Sequence, residues 1–468
     1  MNLVNVPRWI ATRAELAGRY DDIWFLNVDV GWAVNGNGKI LKTANGGANW
    51  DTQFHDGAVY FRCLSMVNDQ IGWAGCTTQG RQLFRTIDGQ HWSLVQNLPA
   101  DAPPLVCGVW ALDENHVFAS GTNDPALRTG FMKTDNGGRT WTAQSMEHVA
   151  TLLVDIYFQD ERTGWVVGGR ATRPHSRRND VLPVVLKTED GGQTWQDKLV
   201  GVNGPLGEWG WKIQFVDNDF AVVACENLKA GAIMISEDGG ATWRRQEIRD
   251  ANGLMVNQNL EGIGFLDRHT GWVGGWGDPT FDSGRTAGTT DGGRTWTDLT
   301  ADWPRPFFSI PCEESNPRGQ YINRFRIVGD TVYACGNTVY KFTTQRLFVP
   351  TVDEATGTQL LASVADIPYT DTADFEITVP DHTQSLRVEF FDPYSGLVCT
   401  LVEESNPTAG KRTVSWDLCD HHGTRLPSWT FEVRVTCDDV SESRLLKFQS
   451  PRLEDPTATF KPHLLGRV

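Results

Sequence analysis

The chain has 468 residues, 40% of them hydrophobic, and a formal net charge of −16. That length supports two or three domains with buried cores, and that charge excludes nucleic acid or an anionic membrane surface as a general partner. No run of 18 apolar residues occurs, so no helical membrane span is expected.

The first twenty residues, "MNLVNVPRWIATRAELAGRY", lack a basic start followed by an apolar stretch. The sequence as written therefore carries no signal peptide, and a cytoplasmic location is expected, or an extracellular one if a leader is missing. Within this stretch "NVPRWIATR" (5–13) reads as a lone strand. A repeat then takes over: "DIWFLNVDVGWAVNG" (22–36), "CLSMVNDQIGWAGC" (63–76), "DIYFQDERTGWVVGG" (155–169) and "GIGFLDRHTGWVGG" (262–275). Degenerate copies are "GVWALDENHVFASG" (108–121), "KIQFVDNDFAVVAC" (212–225) and "RFRIVGDTVYACG" (324–336).

Each of the first six copies is followed by a box: "KTANGGANW" (42–50), "RTIDGQHW" (85–92), "KTDNGGRTW" (133–141), "KTEDGGQTW" (187–195), "ISEDGGATW" (235–243) and "TTDGGRTW" (289–296). Their closing tryptophans recur every 42 to 54 residues, a period that signals a propeller or solenoid. The strands are short, β-branched or aromatic, and helical periodicity is nowhere sustained. Each unit reads as strand, tight turn, strand, loop, strand, box, strand, which is a four-stranded blade. Seven units give an all-β, seven-bladed β-propeller. The seventh lacks a fourth strand, so residues 5–13 are expected to supply it and close the ring.

The box residues are explained by a turn. The Gly pair supplies positive φ, and Asp190 accepts hydrogen bonds from nearby backbone N–H groups. Thr188 and Thr194 cross-link the hairpin, while Trp195 packs on the blade with its N–H directed to a backbone acceptor. Asn stands in for Asp at 45 and 136, which a turn tolerates and a catalytic carboxylate does not. Cys76, Cys225 and Cys335 share one place in the repeat and read as small buried hydrophobes. No CxxC pair occurs, so neither a zinc site nor any other cofactor is indicated.

The boxes match the Asp-box (BNR) pattern, S/T-x-D-x-G-x-T-W. With the "GW-V-G" strand before each box, residues 20–345 most resemble the photosystem II assembly/stability factor branch of that group. The resemblance implies a non-enzymatic assembly or binding propeller. After "TTQRLFVPTVDEATG" the boxes cease. Residues 1–347 are assigned to the propeller, 348–358 to a linker, 359–450 to a β-sandwich and 451–468 to a tail. In the sandwich, "SLRVEFFDPYSGLVCTL" (385–401) alternates across a hairpin turn, and Trp416, Phe431, Val433 and Val435 supply a core. The order "DPYSGLV…G…VSWDLCDHHGTRLP…F" resembles the immunoglobulin-like module of the flagellar hook-capping family. Asp417, Asp420 and His421 there read as turn residues and not as metal ligands.

Loops opposite the boxes lengthen from the fourth blade onward: 170–183, 201–211, 249–259, 276–288 and 301–320. Long loops on a rigid scaffold are where binding resides. Trp209, Trp211, Trp276, Trp303, Phe307 and Phe308 read as loop aromatics, either folded over one another or lining a cleft. Aligning the innermost strands places Arg62, Lys212 and Arg324 near the channel mouth with Asp155 and Glu261. These charges either bind an anionic or polar ligand or pair with one another. Arg170, Arg173, Arg177 and Arg178 read as a solvated face that could dock an acidic partner.

Two functions remain open at this point. One is a non-catalytic binding or assembly propeller, with a protein or glycan held on the face opposite the boxes through Arg62, Trp209, Trp211, Lys212, Trp276, Trp303, Phe307 and Arg324. The other is a glycan-acting hydrolase or lyase, sialidase-like, using Asp155 and Glu261 as acid and base with Arg62 and Arg324. That chemistry needs two carboxylates within about 5–10 Å.

Overall fold

The computed structural model describes residues 2–173, 180–202, 204–227, 229–276, 284–300, 303–304, 321–349, 373–392, 396–417, 419 and 429–448. Every regular element among them is a β-strand, and no helix is long and apolar enough to cross a membrane. The chain divides into two compact units; the larger comprises Trp9–Arg305 and Pro317–Lys341, the smaller the remainder.

In the larger unit the first blade runs, from the inside outward, through Tyr20–Phe25, Gly31–Asn35, Lys39–Thr43 and Asp51–His55. Five more blades repeat this order, with innermost strands Phe61–Met66, Gly108–Ala111, Leu152–Phe158, Trp209–Phe215 and Leu260–Phe265. The seventh takes Arg324–Val328, Thr331–Cys335 and Val339–Val349 from its own stretch of chain and Asn2–Ala11 from the N-terminus, of which residues 2–8 and 342–349 are counted with the smaller unit. Each innermost strand packs on the next, and the seventh on the first. The ring is thus closed by the segment that the sequence leaves spare, and the Thr12 N–H donates to the Val339 carbonyl at 2.8 Å.

The boxes are turns in every blade that has one. In the fourth, Gly191 and Gly192 sit at φ 72° and 86°, where only glycine is unstrained. The Thr188 hydroxyl accepts from the Gly192 N–H at 2.8 Å and donates to Asp190 Oδ1 at 2.8 Å. Asp190 in turn accepts the Thr194 N–H at 2.9 Å and its hydroxyl at 2.6 Å. Those hydrogen bonds act against the cost of burial and hold the Asp190 carboxyl at about 2. The Gly191 N–H donates to the Arg162 carbonyl, which ties the box to the turn between the first and second strands. Boxes and those turns therefore share one face of the ring, here termed the box face; the starts of the innermost strands lie at the other, the loop face.

Trp195 differs from expectation: it is half-buried, edge-on to Phe131 at 5.2 Å, and its Nε1 has no hydrogen-bond partner among the described residues. Trp243 and Trp296 do donate to box carbonyls, at 3.2 and 3.1 Å. Trp296 is 2% exposed in a core with Phe265, Val273 and Ile233. Trp296→Ala is expected to cost about 3–5 kcal/mol, the usual range for a buried tryptophan. A denaturant titration checks this; an unchanged midpoint would contradict a structural role.

In the smaller unit, Ala373–Val379 pairs with Gly410–Trp416. A four-stranded sheet orders Gly396–Ser405, Ser385–Asp392, Trp429–Cys437 and Val440–Phe448. One core joins both sheets through Phe375, Ile377, Phe390, Trp416, Val433 and Val435. Asp420 and His421 lie outside the described residues. Cys76, Cys225 and Cys335 are buried and free, as the small-hydrophobe reading expects.

Candidate functional site

The innermost strands carry the site, and an irregularity in them decides its chemistry. Pairing with the second strand slips by one residue between Tyr20 and Asp22, Phe61 and Cys63, Leu153 and Asp155, Gly210 and Lys212, and Leu260 and Gly262. A bulge sets two residues against one and breaks the strict alternation of sides. Neighbours such as Asp21 with Asp22, and Trp211 with Lys212, are thereby both engaged in the channel. Side chains stack there in two tiers.

The deeper tier is centred on Arg324. Its Nε donates to Asp22 Oδ1 at 2.9 Å, and its two Nη atoms donate to Asp155 at 2.7 and 3.0 Å. Arg324 belongs to the seventh blade, Asp22 to the first and Asp155 to the fourth, so this guanidinium spans the ring. The same carboxylates clasp adjacent blades: Asp22 accepts the Leu64 N–H at 3.1 Å and Asp155 the Ile213 N–H at 3.0 Å. Lys212 lies within this tier, 1% exposed, and its Nζ has no hydrogen-bond partner among the described residues.

The outer tier, toward the loop face, is built on Arg19. Its Nε donates to Asp21 at 2.6 Å, and Arg62 Nη1 meets the same oxygen at 2.6 Å. The two Nη atoms of Arg19 grip the Glu261 carboxylate as a fork, and Trp276 Nε1 donates to that carboxylate at 2.8 Å. The Trp211 ring lies 4.6 Å from the Arg62 guanidinium and 5.9 Å from that of Arg19. Trp276 lies 5.6 Å from Arg19 and stacks on Tyr321 at 4.1 Å. Trp276, Tyr321, Tyr60 and Arg19 are the partly exposed members of this layer.

Burial opposes charge on all of these groups, and pairing decides which keep it. Burial would raise Asp22, but Arg324, Arg326 and Lys212 outweigh it and hold the carboxyl at about 2. Asp21 is likewise lowered, by Arg19 and Arg62, against its burial. Lys212 is pushed down by burial and by Arg324, which the attraction of Asp155 and Asp22 only partly offsets.

The structure brings Arg62, Lys212, Arg324, Asp155 and Glu261 into one channel, but only Arg62 and Glu261 lie in the outer tier; Arg324, Asp155 and Lys212 lie deeper, and all but Lys212 are engaged in ion pairs. The aromatic assignments need correction. Trp209 and Trp211 are not loop residues: both lie on the innermost strand Trp209–Phe215 and are 2% exposed. The Gly-rich run before them conceals where that strand begins. Trp209 packs on Leu152, Val154 and Val181. Trp303 is buried too, 4.4 Å from Trp9 and 5.6 Å from Tyr340. Of the described aromatics singled out in the sequence, Trp276 alone reaches the surface of the mouth. Phe307, Phe308, Arg177 and Arg178 lie outside the described residues.

Sequence reasoning passes over Arg19, Asp21, Asp22, Tyr60, Tyr321 and Arg326. The Asp21–Asp22 doublet is a usable signal, because it stands at the same repeat position as Arg62, Trp211–Lys212 and Glu261.

Known proteins bear on this architecture. The GH74 enzyme of Niastella koreensis has a TM-score of 0.51 at 12% identity, covering 93% of this chain and 73% of that one, a likeness of fold alone. A structure described as YCF48 bound to D1 peptide has a TM-score of 0.49 at 15% identity, covering 72% and 97%. The Photosystem II assembly lipoprotein Ycf48 of Synechococcus sp. (strain CC9902) is 25% identical over 276 residues, 52% of this chain and 79% of that relative. The family model for Photosynthesis system II assembly factor YCF48 matches residues 1–153. The chain is a β-propeller whose residues 1–153 are similar to the Photosynthesis system II assembly factor YCF48 family.

Proposed function

We propose that this chain is a non-catalytic assembly propeller that holds a protein partner at the loop-face mouth of its channel. The observation that carries the reading is the state of the charges. Both carboxylates that a glycosidase would need are fully engaged: Asp155 by Arg324 and the Ile213 N–H, Glu261 by Arg19 and Trp276. An acid or base tied in this way has no free oxygen to offer a substrate. What the mouth does present is the stacked pair Trp276–Tyr321 beside the Arg19 guanidinium. Large, rigid rings beside an arginine are the groups that dominate protein interfaces. The similarity to an assembly-factor family over residues 1–153 supports the same reading. A glycan stacked on Trp276 is the other occupant that this surface suits. The propeller assignment of residues 1–347 and the immunoglobulin-like assignment of 359–450 belong to this proposal, the second unit serving as an attachment or packing module.

The test is a variant that strips the mouth and spares the core. Trp211 is unsuitable, because it is buried under Arg62. Trp276→Ala removes one partly exposed ring, and the main risk to folding is the bond it makes to Glu261, which Arg19 still pairs. Partner retained by tagged wild-type protein is expected to fall at least about tenfold with Trp276→Ala, the scale of a hot-spot residue, at an unchanged melting temperature. Turnover of a glycan abolished by Asp155→Asn or Glu261→Gln would sink the reading.

A further inference from the structure

We infer that the box-face end of the channel is a second binding site, for a small aromatic carboxylate. Below the Arg324 tier the channel opens into a cavity of about 280 Å³. Its walls come from the far ends of the innermost strands, among them Trp110, Tyr157, Phe215, Phe265 and Arg326. None of these belongs to the mouth described above, so the inference stands apart from the proposed function.

Three observations select the ligand. The first is an arc of rings. Among the lining residues Trp110 lies 4.8 Å from Tyr157, and Tyr157 stacks on Phe215 at 4.6 Å; Trp24 stands outside the lining, 5.4 Å from Trp110. Such walls take a flat apolar group by offset or edge-on contact. The second is an under-paired cation that closes the arc. Arg326 lies 4.4 Å over Trp24, and its Nε donates to the Ile23 carbonyl at 3.0 Å. Its sole carboxylate contact among the described residues is to Asp22 at 3.5 Å, the limit of a hydrogen bond, and its side chain remains 18% exposed. No bond engages its Nη1 among the described residues.

The third observation is the local charge. Asp22 and Asp155 are the carboxylates of the deeper tier, and they face Arg324, Arg326 and Lys212. One positive charge is in excess in this tier, inside a protein whose net charge is −16. Burial and the neighbouring Arg324 already press Arg326 down to about 10. An anion supplied from solution would relieve that strain, and a carboxylate matches the guanidinium fork. An inorganic anion could pair with Arg326 or with Arg324, which also lines the cavity, but would leave the aromatic walls without a partner. The cavity is just below the usual ligand range of roughly 300–1,000 Å³, which limits the occupant to about one ring.

Benzoate is the probe, with benzamide as its neutral isostere and acetate as the ringless acid. Calorimetry or tryptophan fluorescence on the full chain is expected to show benzoate binding at least about tenfold tighter than either, one decade being 1.4 kcal/mol. Arg326→Gln should lose that preference for benzoate, and Arg326→Lys should keep part of it. Trp276→Ala, at the opposite face, should leave benzoate binding intact even if partner binding is lost. If Arg326→Gln fails to fold, the comparison of benzoate with benzamide on the wild type carries the test. Equal binding of the two, no binding of benzoate at 10 mM (roughly the weakest useful affinity, near −3 kcal/mol), or loss of benzoate binding in Trp276→Ala would each overturn the inference.

Discussion

Replacing Arg324 by Met is expected to lower the unfolding free energy by about 3–5 kcal/mol, the cost of breaking a buried ion pair from one side. Arg324 is 5% exposed and holds two buried carboxylates from opposite parts of the ring. Met fills a similar volume but leaves Asp22 and Asp155 facing Lys212 and Arg326 alone. Adding Asp155→Asn to Arg324→Met should recover part of the loss, because an amide can still accept the Ile213 N–H without a buried charge. Wild-type stability should also depend on acid in a defined direction. The Asp22 carboxyl is held at about 2 in the folded chain, below its unfolded value of about 3.9. A depressed carboxylate contributes stability that is full above the unfolded value and is lost as pH falls toward the folded one. The denaturant midpoint should therefore fall between about pH 4 and pH 2. In Arg324→Met the carboxyl loses its main partner and its folded value moves up toward the unfolded one, so the fall over that range should shrink. An Arg324→Met protein with wild-type midpoint and wild-type acid profile would show that the pairs are incidental.

The propeller is legible in the sequence because its signals are local. A box is a self-contained turn: Thr188, Asp190, Gly192 and Thr194 satisfy one another within seven residues, so the pattern survives in six copies. The channel is legible only in part. Aligning the repeats places Arg62, Lys212, Arg324, Asp155 and Glu261 on equivalent strands, since period and direction are fixed by the blade. Alignment does not reveal the bulge, which is a one-residue slip in hydrogen bonding. Without it Trp211 and Lys212 would be assigned to opposite sides. Nor does it reveal Arg19, which precedes the first strand and meets Glu261 242 positions later. Partners of that kind are set by closure of the ring, and no local pattern encodes them.

The charge plug also explains why this channel is poor catalytic ground and good scaffolding. Arg324 spends its donors on carboxylates of the first and fourth blades, which in turn accept N–H groups from the second and fifth, and Arg19 reaches Glu261 of the sixth. Each bond made across the ring fixes the position of one blade against another. The two ends are then left to differ: aromatic stacking beside Arg19 at the loop face, an aromatic arc beside Arg326 at the box face. A rigid middle lets either end bind without reorganising the other.

Closure itself gives the last expectation. Deleting residues 1–14 should remove the outer strand of the seventh blade and cost on the order of 5 kcal/mol or more. Ile10 is 7% exposed and Ala11 fully buried; an isoleucine side chain alone contributes about 2–3 kcal/mol when buried. Trp9 sits 4.4 Å from Trp303 and edge-on to Trp272 at 5.5 Å and Phe325 at 5.7 Å, so a second aromatic cluster loses its centre, worth roughly 3 kcal/mol or more. Thr12 goes as well, and with it the hydroxyl that accepts from Trp50 Nε1 at 3.3 Å. Entropy offsets part of this, because the fourteen residues no longer need ordering. The exposed edge of Val339–Val349 would then be free to pair with another chain, and an unpaired strand of that length invites aggregation. Size-exclusion chromatography should show oligomers or loss of soluble protein, and melting should begin at lower temperature. A synthetic peptide of residues 2–14 added to the truncated chain should restore the monomer and raise the melting point, because the strand carries its own side chains into a preformed groove. A truncated chain that stays monomeric with an unaltered melting point would show that the seventh blade is stable on three strands and that the N-terminal strand is an ornament of the ring.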